Sequence, residues 1–293
     1  MLTQSEQDLS SARPNVVDFD RVSDLHYLGN YLRKLPVNMT RMIENAYDWE
    51  HLPHVHASSF SSIDLIASGP WGWRAKIGVP QTGGATYQLL DLLVARDKNY
   101  WVSTVYSGPG AGIEIHTQAS EISDGEIEVD VRFYLPEAPQ DAQAAEAALQ
   151  YLTQQYATLY DEDTDLMSGR QAALDRHAKM PEAPVSAEVC LIGAVAELDR
   201  ARAHVVESAA GRYCVRHWEG AWMAHAATCP HLLGPLNEGP VSGDGVIVCP
   251  WHGYRFDIRS GRNLDGKCRS LSIAPKVFEK DGRLYLRIES GFN

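Results

Sequence analysis

Two short segments in the C-terminal half of the chain pair a cysteine with a histidine at spacings suited to metal binding. The first segment is Cys229-x-His231 and the second, after residues 232–248, is Cys249-x-x-His252. Thiolate and imidazole groups are good ligands for zinc and iron. Because each segment offers one of each, the two segments could enclose a single metal centre. A Cys2His2 zinc site is the alternative, although such sites usually pair cysteine with cysteine and histidine with histidine.

A second group of potential ligands lies in residues 41–60, which read RMIENAYDWEHLPHVHASSF. On an ideal helix, His51 and His56 would point about 140° apart, whereas His51 and His54 would share a face. Pro53 removes a backbone donor and bends the chain, so that His56 could approach His51. The segment therefore offers a metal site with His51 and either His56 or His54 as ligands.

A metal site with two histidine ligands is often completed by a carboxylate. Several carboxylates occur in residues 160–165, within a predicted helix. Asp163 lies on the apolar stripe of this helix, which is formed by Leu152, Leu159, Leu166 and Leu174. A carboxylate in apolar surroundings is unfavourable unless it is paired or bound to a metal, so Asp163 is the predicted ligand. Asp161 and Asp165 point away from the stripe and are predicted to be solvated.

The elements expected around the N-terminal ligands are an antiparallel sheet and one long helix. Alternation of apolar and polar side chains predicts strands at 71–79, 87–95, 100–106, 113–119 and, most clearly, 126–135. A glycine-containing turn is predicted at 82–84. After residue 139 the composition changes to Ala, Gln, Leu and Glu, which predicts a helix over about 141–177. The expected fold class is α+β, with the helix packed on the sheet.

The C-terminal part has a different pattern. Two prolines in residues 180–184 cannot continue the helix and predict a domain boundary. Short strand-like runs separated by turn residues then follow at 189–198, 204–208, 212–218, 246–249 and 284–289. The predicted organisation is a flexible tail over 1–20, a domain with the histidine and aspartate ligands over 21–180, and an all-β domain with the cysteine and histidine segments over 181–293.

Composition limits the partners that the chain could bind. Among 293 residues, 38 Asp and Glu outnumber 26 Lys and Arg, and no basic cluster is present, so nucleic acid is not an expected partner. No apolar stretch approaches the roughly 20 residues that a membrane span requires, and the start lacks the features of a signal peptide. The odd count of five cysteines favours the reducing cytoplasm. Cys190, Cys214 and Cys268 are predicted to be small buried residues.

The C-terminal pattern resembles the Rieske family, in which two cysteines bind one iron of a 2Fe-2S cluster and two histidines bind the other. The resemblance covers residues 185–289 and includes CPWHGYRFDIRSGR. It implies a 2Fe-2S cluster held by Cys229, His231, Cys249 and His252. The family usually has glycine where this chain has Leu233, with glycine following, so the first loop could turn differently. Neither loop has the extra cysteine of respiratory Rieske proteins, which indicates the oxygenase or ferredoxin type.

The N-terminal pattern resembles the catalytic motif of Rieske non-haem iron oxygenases. The matching residues are Asp48-x-x-His51-x4-His56, preceded by Asn45, and the segment DEDTDLMSGRQ, whose match falls on Asp163. The resemblance implies a mononuclear Fe(II) bound by His51, His56 and Asp163. It also implies that Asp48 lies between the iron and the Rieske centre, that Asn45 supports the site, and that this domain has the helix-grip fold.

A helix-grip domain of this family wraps a hydrophobic pocket, so aromatic residues on the predicted strands are candidates for its lining. These candidates are Trp71, Trp73, Trp101, Tyr106 and Phe133. The histidines that have no partner pattern are predicted to be structural or surface residues, namely His26, His116, His177, His204, His217 and His225.

Together the two resemblances imply the oxygenase component of a multicomponent system in the cytoplasm. A flavin-dependent NAD(P)H reductase, directly or through a ferredoxin, would supply electrons that hydroxylate, dihydroxylate or demethylate a small hydrophobic substrate with O2. The family places the Rieske domain first, and here the order is reversed. The family also implies a homo-oligomer, with a trimer suspected. The alternative is an electron-transfer protein, in which a Rieske ferredoxin is fused to a helix-grip domain that only binds a hydrophobic ligand.

Overall fold

The computed structural model describes residues 2–80, 86–180 and 187–289. The chain divides into two compact units, Met1–Ser168 and Gly169–Asn293. This boundary falls inside the long helix, whereas the sequence predicts a boundary near residue 180. The turn predicted at 82–84, and the predicted linker from residue 181 on, lie outside the described residues.

The described part of the chain contains four α-helices. They are α1 (Gln4–Ala12), α2 (Met39–Tyr47), α3 (Leu52–Val55) and α4 (Ala142–Ala178). The predicted helix over 141–177 therefore differs from α4 by one residue at each end. None of the helices in the described ranges combines the length and the apolar character needed to cross a membrane.

The first unit is built on one antiparallel sheet of seven strands in the order β1-β7-β6-β5-β4-β3-β2. Strand β7 has the bounds that its alternation predicts. Strands β1 and β2, for which no separate bounds were predicted, are the two edges of the sheet. The strands are β1 (His26–Leu35), β2 (Ser62–Gly69), β3 (Gly72–Gly78), β4 (Tyr87–Ala95), β5 (Tyr100–Ser107), β6 (Glu114–Ser123) and β7 (Glu126–Leu135).

Helix α4 packs on one face of this sheet. Phe133 of β7 is fully buried, and its ring centroid lies 5.6 Å from that of Tyr156 on α4. Gly29 of β1 lets α4 pack closely against this strand, since a Cβ atom at position 29 would lie 2.8 Å from the side chain of Leu149 on α4. The arrangement of an antiparallel sheet gripping one long helix confirms the predicted α+β, helix-grip fold.

Residues of the segment that the sequence predicted as a flexible tail over 1–20 contact the opposite face of the sheet, through Ser10 and Val17 among others. Thr3 and Glu6 form a reciprocal cap at the start of α1. Arg13 then pairs with the fully buried Asp91, with 2.5 Å between Arg13 Nε and Asp91 Oδ2, and Arg74 contacts the same carboxylate at 3.3 Å. The segment is ordered because a buried carboxylate needs the cation that it carries.

The second unit is all-β beyond the end of α4, as predicted. Its strands form three antiparallel sheets, β11-β10-β9, β12-β13 and β14-β15-β8, and its core contains the buried residues Tyr213, Val215, Leu284, Leu286 and Ile288. Strands β11, β13 and β14 were not among the predicted runs. The strands are β8 (Glu188–Ala194), β9 (His204–Ser208), β10 (Gly211–Trp218), β11 (Ala221–Ala226), β12 (Val246–Val248), β13 (Arg255–Asp257), β14 (Lys276–Lys280) and β15 (Arg283–Ile288).

Candidate metal centres

The two cysteine and histidine segments of the second unit form turns of the same kind. The first follows β11 and the second follows β12. The backbone N–H of Leu233 donates to Cys229 O at 3.0 Å, and that of Gly253 donates to Cys249 O at 2.9 Å. Leu233 has φ +64° and Gly253 has φ +66°. Leu233 therefore adopts the left-handed conformation that glycine provides in the other loop, at a cost of about 1–2 kcal/mol.

Gly234, which follows this leucine, allows the two loops to approach each other. A Cβ atom at position 234 would lie 2.8 Å from Cys249 Sγ and 3.1 Å from the ring of Trp251. Its carbonyl accepts a hydrogen bond from Cys229 N at 2.8 Å. The absence of a side chain at position 234 thus brings the cysteines together, and each is 1% exposed.

The four side chains fit a Rieske cluster. The Cys229 thiol donates a hydrogen bond to Cys249, which lowers the pKa of Cys249 to about 5 and raises that of Cys229. Two thiolates this close together would repel each other unless a cation lies between them. The rings of His231 and His252 are also neighbours, with centroids 4.6 Å apart and planes at 88°. Two adjacent thiols and two adjacent imidazoles form the donor set that a 2Fe-2S cluster of this type uses.

Tyr254 fixes the orientation of one of these imidazoles. Its ring stacks on His231 with centroids 4.4 Å apart and planes at 23°. Lys267 lies over the Tyr254 ring, with its Nζ 5.3 Å from the centroid of that ring. The His231 ring is therefore held by packing on its face.

In the first unit, a one-turn helix separates the two histidines of the predicted metal site. His51 immediately precedes α3 and His56 immediately follows it, while Pro53 lies in its first turn. The chain thus leaves the axis of α2 and turns within the segment, and the two imidazole centroids are 5.1 Å apart. His54, the alternative ligand, is exposed on α3.

Asp163 on α4 faces these two imidazoles. His56 Nε2 lies 3.0 Å from Asp163 Oδ1, and His51 Nε2 lies 3.4 Å from the same oxygen. One donor atom from each residue lies within 4.8 Å of the other two, and all three side chains are buried. Asp161 instead is exposed and pairs with Arg33, and Asp165 is exposed. As predicted, Asp163 lies on the buried face of α4, whereas Asp161 and Asp165 lie on its exposed face.

One observation at His51 indicates that the three donor residues fit a divalent metal ion. Both nitrogens of this ring are buried, and neither has a hydrogen bond within the described residues. Burial lowers the pKa of His51, but Asp163 and Asp48 outweigh this effect and raise it to about 9. Burial likewise raises the pKa of Asp163, and the two imidazoles reverse that effect and hold it well below its usual range. Closely spaced buried donors of this kind are what a metal ion would satisfy.

Glu162 is a site residue that the sequence analysis missed. Its Oε2 lies 2.7 Å from His56 Nδ1, so a proton on Nδ1 is donated to this carboxylate and Nε2 is left facing Asp163. A carboxylate behind a ligating histidine is a common feature of metal sites, and a search for such a partner could have found it.

Asn45 lies on α2, and Asp48 immediately follows this helix. Asp48 Oδ2 is 3.6 Å from His51 Nδ1. Asn45 Oδ1 is buried, and within the described residues it has no hydrogen bond. Both side chains line the cavity into which the three predicted ligands open.

This cavity measures about 110 Å³ and lies between α4 and the sheet. Trp73 and Trp101 line it, as predicted, and Trp73 Nε1 is anchored by a 3.0 Å hydrogen bond to Ala46 O. The other three aromatic candidates do not line the cavity. Trp71 packs beside Val17 and Leu93, Tyr106 bonds Ser10 on the opposite face of the sheet, and Phe133 is fully buried against α4.

The remaining cysteines and histidines are only partly as predicted. Cys214 is buried, whereas Cys190 and Cys268 are partly exposed because they lie on an edge strand and in a surface loop. His116, expected to be structural, is 1% exposed and bridges Tyr100 and Glu114 with hydrogen bonds of 2.7 and 3.0 Å.

Comparison with known proteins matches residues 188–275 to the Rieske [2Fe-2S] domain family. Over 87 residues, or 29% of this chain, it is 34% identical to flavonoid 8-hydroxylase 2, chloroplastic, of Ocimum basilicum, of which the match covers 15%. It is 32% identical over 75 residues, or 26% of this chain, to the ferredoxin component of the alkene monooxygenase system of Xanthobacter autotrophicus, of which the match covers 60%. The matched segment thus spans less than two thirds of either relative.

Among solved structures, the Zhui aromatase/cyclase of a Streptomyces species is similar to 50% of this chain. The match covers 96% of that protein, with 8% identity and a TM-score of 0.42. The helix-grip assignment rests on the strand order and the long helix described above. The matched family model and the paired turns of Cys229 and Cys249 agree on the second unit. Residues 188–275 are a Rieske domain, which in this chain follows a helix-grip domain instead of preceding one.

Proposed function

We propose that this chain is the oxygenase component of a Rieske non-haem iron system. One observation carries the proposal. In a chain with a Rieske domain, two buried histidines and a buried aspartate from separate elements bring their donor atoms within 4.8 Å of one another at an apolar cavity. Two imidazoles and one carboxylate are the ligand set of oxygen-activating mononuclear iron sites.

In this proposal His51, His56 and Asp163 hold Fe(II), and the Cys229 and His231 loop and its partner loop hold the 2Fe-2S cluster. When bound, the cluster supplies single electrons and the mononuclear iron supplies the centre for O2 activation. Glu162 accepts a hydrogen bond from the N–H at His56 Nδ1, so that Nε2 presents a lone pair to the metal position. Asp48 stands close enough to His51 Nδ1 to orient that ring in the same way once the ring is neutral.

The surrounding side chains keep water away from the reaction. Trp73 and Trp101 form an apolar wall, and the buried α4 side chains close the other side of the cavity. A small hydrophobic substrate held there would be hydroxylated, dihydroxylated or demethylated. An apolar enclosure favours this chemistry because it excludes the solvent that would quench reactive intermediates.

Partners follow from the proposed reaction. Electrons would come from a flavin-dependent NAD(P)H reductase, directly or through a ferredoxin, in a cytoplasmic system. None of the five cysteines forms a disulfide, which suits a reducing compartment. We also propose a homo-oligomer, with a trimer as the first candidate. Electron transfer would then occur either within one chain or between neighbouring chains.

The alternative function is electron transfer without catalysis, with the helix-grip domain as a ligand carrier. It is favoured by the similarity of residues in the Rieske domain to a ferredoxin component. The two functions differ in the number of irons. The oxygenase should contain about three per chain, two in the cluster and one mononuclear, whereas the electron carrier should contain about two.

The experiment is iron analysis after anaerobic purification, with nitric oxide binding to the ferrous site followed by EPR. Asp163→Ala should lose the mononuclear iron and keep the Rieske spectrum, while Asp161→Ala, an exposed residue on the same helix, should keep both. His56→Ala and His54→Ala form the same kind of pair. Two irons per wild-type chain, with no nitrosyl signal, would refute the oxygenase proposal.

A further inference from the structure

The cavity beside the three predicted iron ligands is small. Its volume of about 110 Å³ is somewhat less than the roughly 150 Å³ of an engineered protein cavity that holds benzene. Both long sides are fixed, because Trp73 is buried and anchored and α4 is packed on the sheet. The volume therefore suits a molecule of about one six-membered ring better than two fused rings, whose second ring would extend to the open side of the pocket.

The charges around the cavity exclude anions. Asp48 and Asp163 line it, and no lysine or arginine is present among the described residues of its wall. A carboxylate or phosphate buried there would lack a compensating cation, even though a bound iron would offset part of the aspartate charge. Transfer of an unpaired anion from water into an apolar site is strongly unfavourable.

Two hydroxyl groups interrupt the apolar wall. Ser103 on β5 and Tyr156 on α4 face the cavity from opposite sides, and neither hydroxyl forms a hydrogen bond within the described residues. Ser103 lies beside Leu92 in the sheet, in the row that also contains Trp73. Tyr156 is seven residues before Asp163 and thus on the same face of α4. Both side chains are half-buried, and the cavity is the direction in which a hydrogen-bond partner could reach their hydroxyls.

We infer that the substrate is a neutral molecule the size of one six-membered ring with a single hydrogen-bonding oxygen, held by the hydroxyls of Tyr156 and Ser103. This inference rests on the proposed function, since it describes what that site would oxidise. Tyr156 and Ser103 are binding residues in it. They select a phenol or a cyclic ketone over both a bare hydrocarbon and a carboxylate, because only the first two satisfy the hydroxyls without burying charge.

The test measures binding by equilibrium dialysis of the anaerobic holoenzyme with four probes, which are phenol, benzene, benzoate and 2-naphthol. Phenol should bind about tenfold more tightly than benzene, and benzoate and 2-naphthol should bind more weakly than phenol by at least the same factor. Tyr156→Phe should reduce the preference for phenol over benzene about tenfold, and Ser103→Ala should reduce it in the same direction. Tyr151→Phe is the matched control, since Tyr151 is on the same helix and 63% exposed.

Equal binding of benzoate and phenol, tighter binding of 2-naphthol, or an unchanged preference in Tyr156→Phe would overturn the inference. Iron content separates this result from the proposed function. A chain with about two irons that still binds the probes in the expected order supports the substrate class and refutes the oxygenase. A chain with about three irons that couples O2 uptake to the oxidation of benzoate or 2-naphthol, but not of phenol, supports the oxygenase and overturns the substrate class.

Discussion

Replacement of Gly234 by alanine tests whether the approach of the two Rieske loops depends on a missing side chain. The added Cβ would lie 2.8 Å from Cys249 Sγ, whereas nonbonded heavy atoms prefer separations of about 3.5–4.0 Å. The sulfur must therefore move by about 0.7 Å or more. Trp251, whose ring would be 3.1 Å from the same Cβ, limits the directions in which the loop can yield.

A displacement of this size exceeds what a metal site tolerates, since ligand distances in such sites are held to about 0.2 Å. We expect Gly234→Ala to lower cluster content about tenfold or more, the range found when groups that orient metal ligands are altered. The overpacking should also reduce the free energy of unfolding by about 1–3 kcal/mol. Backbone strain does not contribute, because Gly234 is not among the residues with positive φ.

The assay is visible absorbance of the cluster with iron and acid-labile sulfide analysis, followed by EPR of the reduced protein. Gly243→Ala in the same unit is the control, because an added Cβ there meets no atom within 4 Å. It should load the cluster as the wild type does. A Gly234→Ala protein with full cluster content and an unchanged EPR signal would show that the loops can separate without loss of the centre, and the packing argument would be wrong.

Three further predictions concern single side chains. Glu162→Gln should weaken mononuclear iron binding about tenfold in chelator competition, because His56 loses the carboxylate behind it, whereas Asp165→Asn, an exposed change on the same helix, should have no effect; equal affinity in both variants would contradict the role of Glu162. Leu233→Gly should be more stable than Leu233→Val by about 1 kcal/mol or more in thermal unfolding, since a β-branched residue is disfavoured at φ +64°, and the reverse order would contradict the conformation described. In the iron-free protein, the raised pKa of His51 gives stability that is complete below about pH 6.5 and is lost as the pH rises through about 9. Urea unfolding should show a loss of about 3 kcal/mol over that interval, and His51→Gln should be flat over the same interval; a pH dependence retained by the variant would refute this origin.

Much of the first unit could be predicted because its strongest patterns are local. Strand β7 alternates without interruption, and the apolar stripe of α4 gave the phase of Asp163. The predictions that were wrong depended on contacts between elements, which the sequence pattern of a single strand or helix does not contain. The sequence shows that Trp101 and Tyr106 belong to one strand, but not which face receives the N-terminal segment and which receives α4. The placement of Arg13 in the N-terminal segment likewise involves Asp91, a carboxylate far away in the sequence.

The spacing of Cys-x-His and Cys-x-x-His indicated one shared metal centre in the C-terminal part, and the resemblance to the Rieske family indicated which centre. The conformation of the first loop could not be predicted. Leucine at position 233 suggests a different turn, and the structure instead retains the left-handed conformation of glycine there. The neighbouring Gly234 is the residue whose size matters, because the second cysteine packs against it. The family's usual glycine position and the sterically demanding position are therefore adjacent and distinct in this chain.

Two consecutive residues of α4 contact the same imidazole, and this affects how a metal ion bound there would exchange. Glu162 and Asp163 contact the two nitrogens of His56 at 2.7 and 3.0 Å, so the ring cannot rotate unless the helix itself moves. A free imidazole would lose rotational entropy when it coordinates a metal ion, but this one has already lost it during folding. Coordination should therefore be favoured by preorganisation, and release should require a collective displacement of α4 instead of a single side-chain rotation. In the proposed iron site, exchange of the metal would then be coupled to the stiffness of a 37-residue helix.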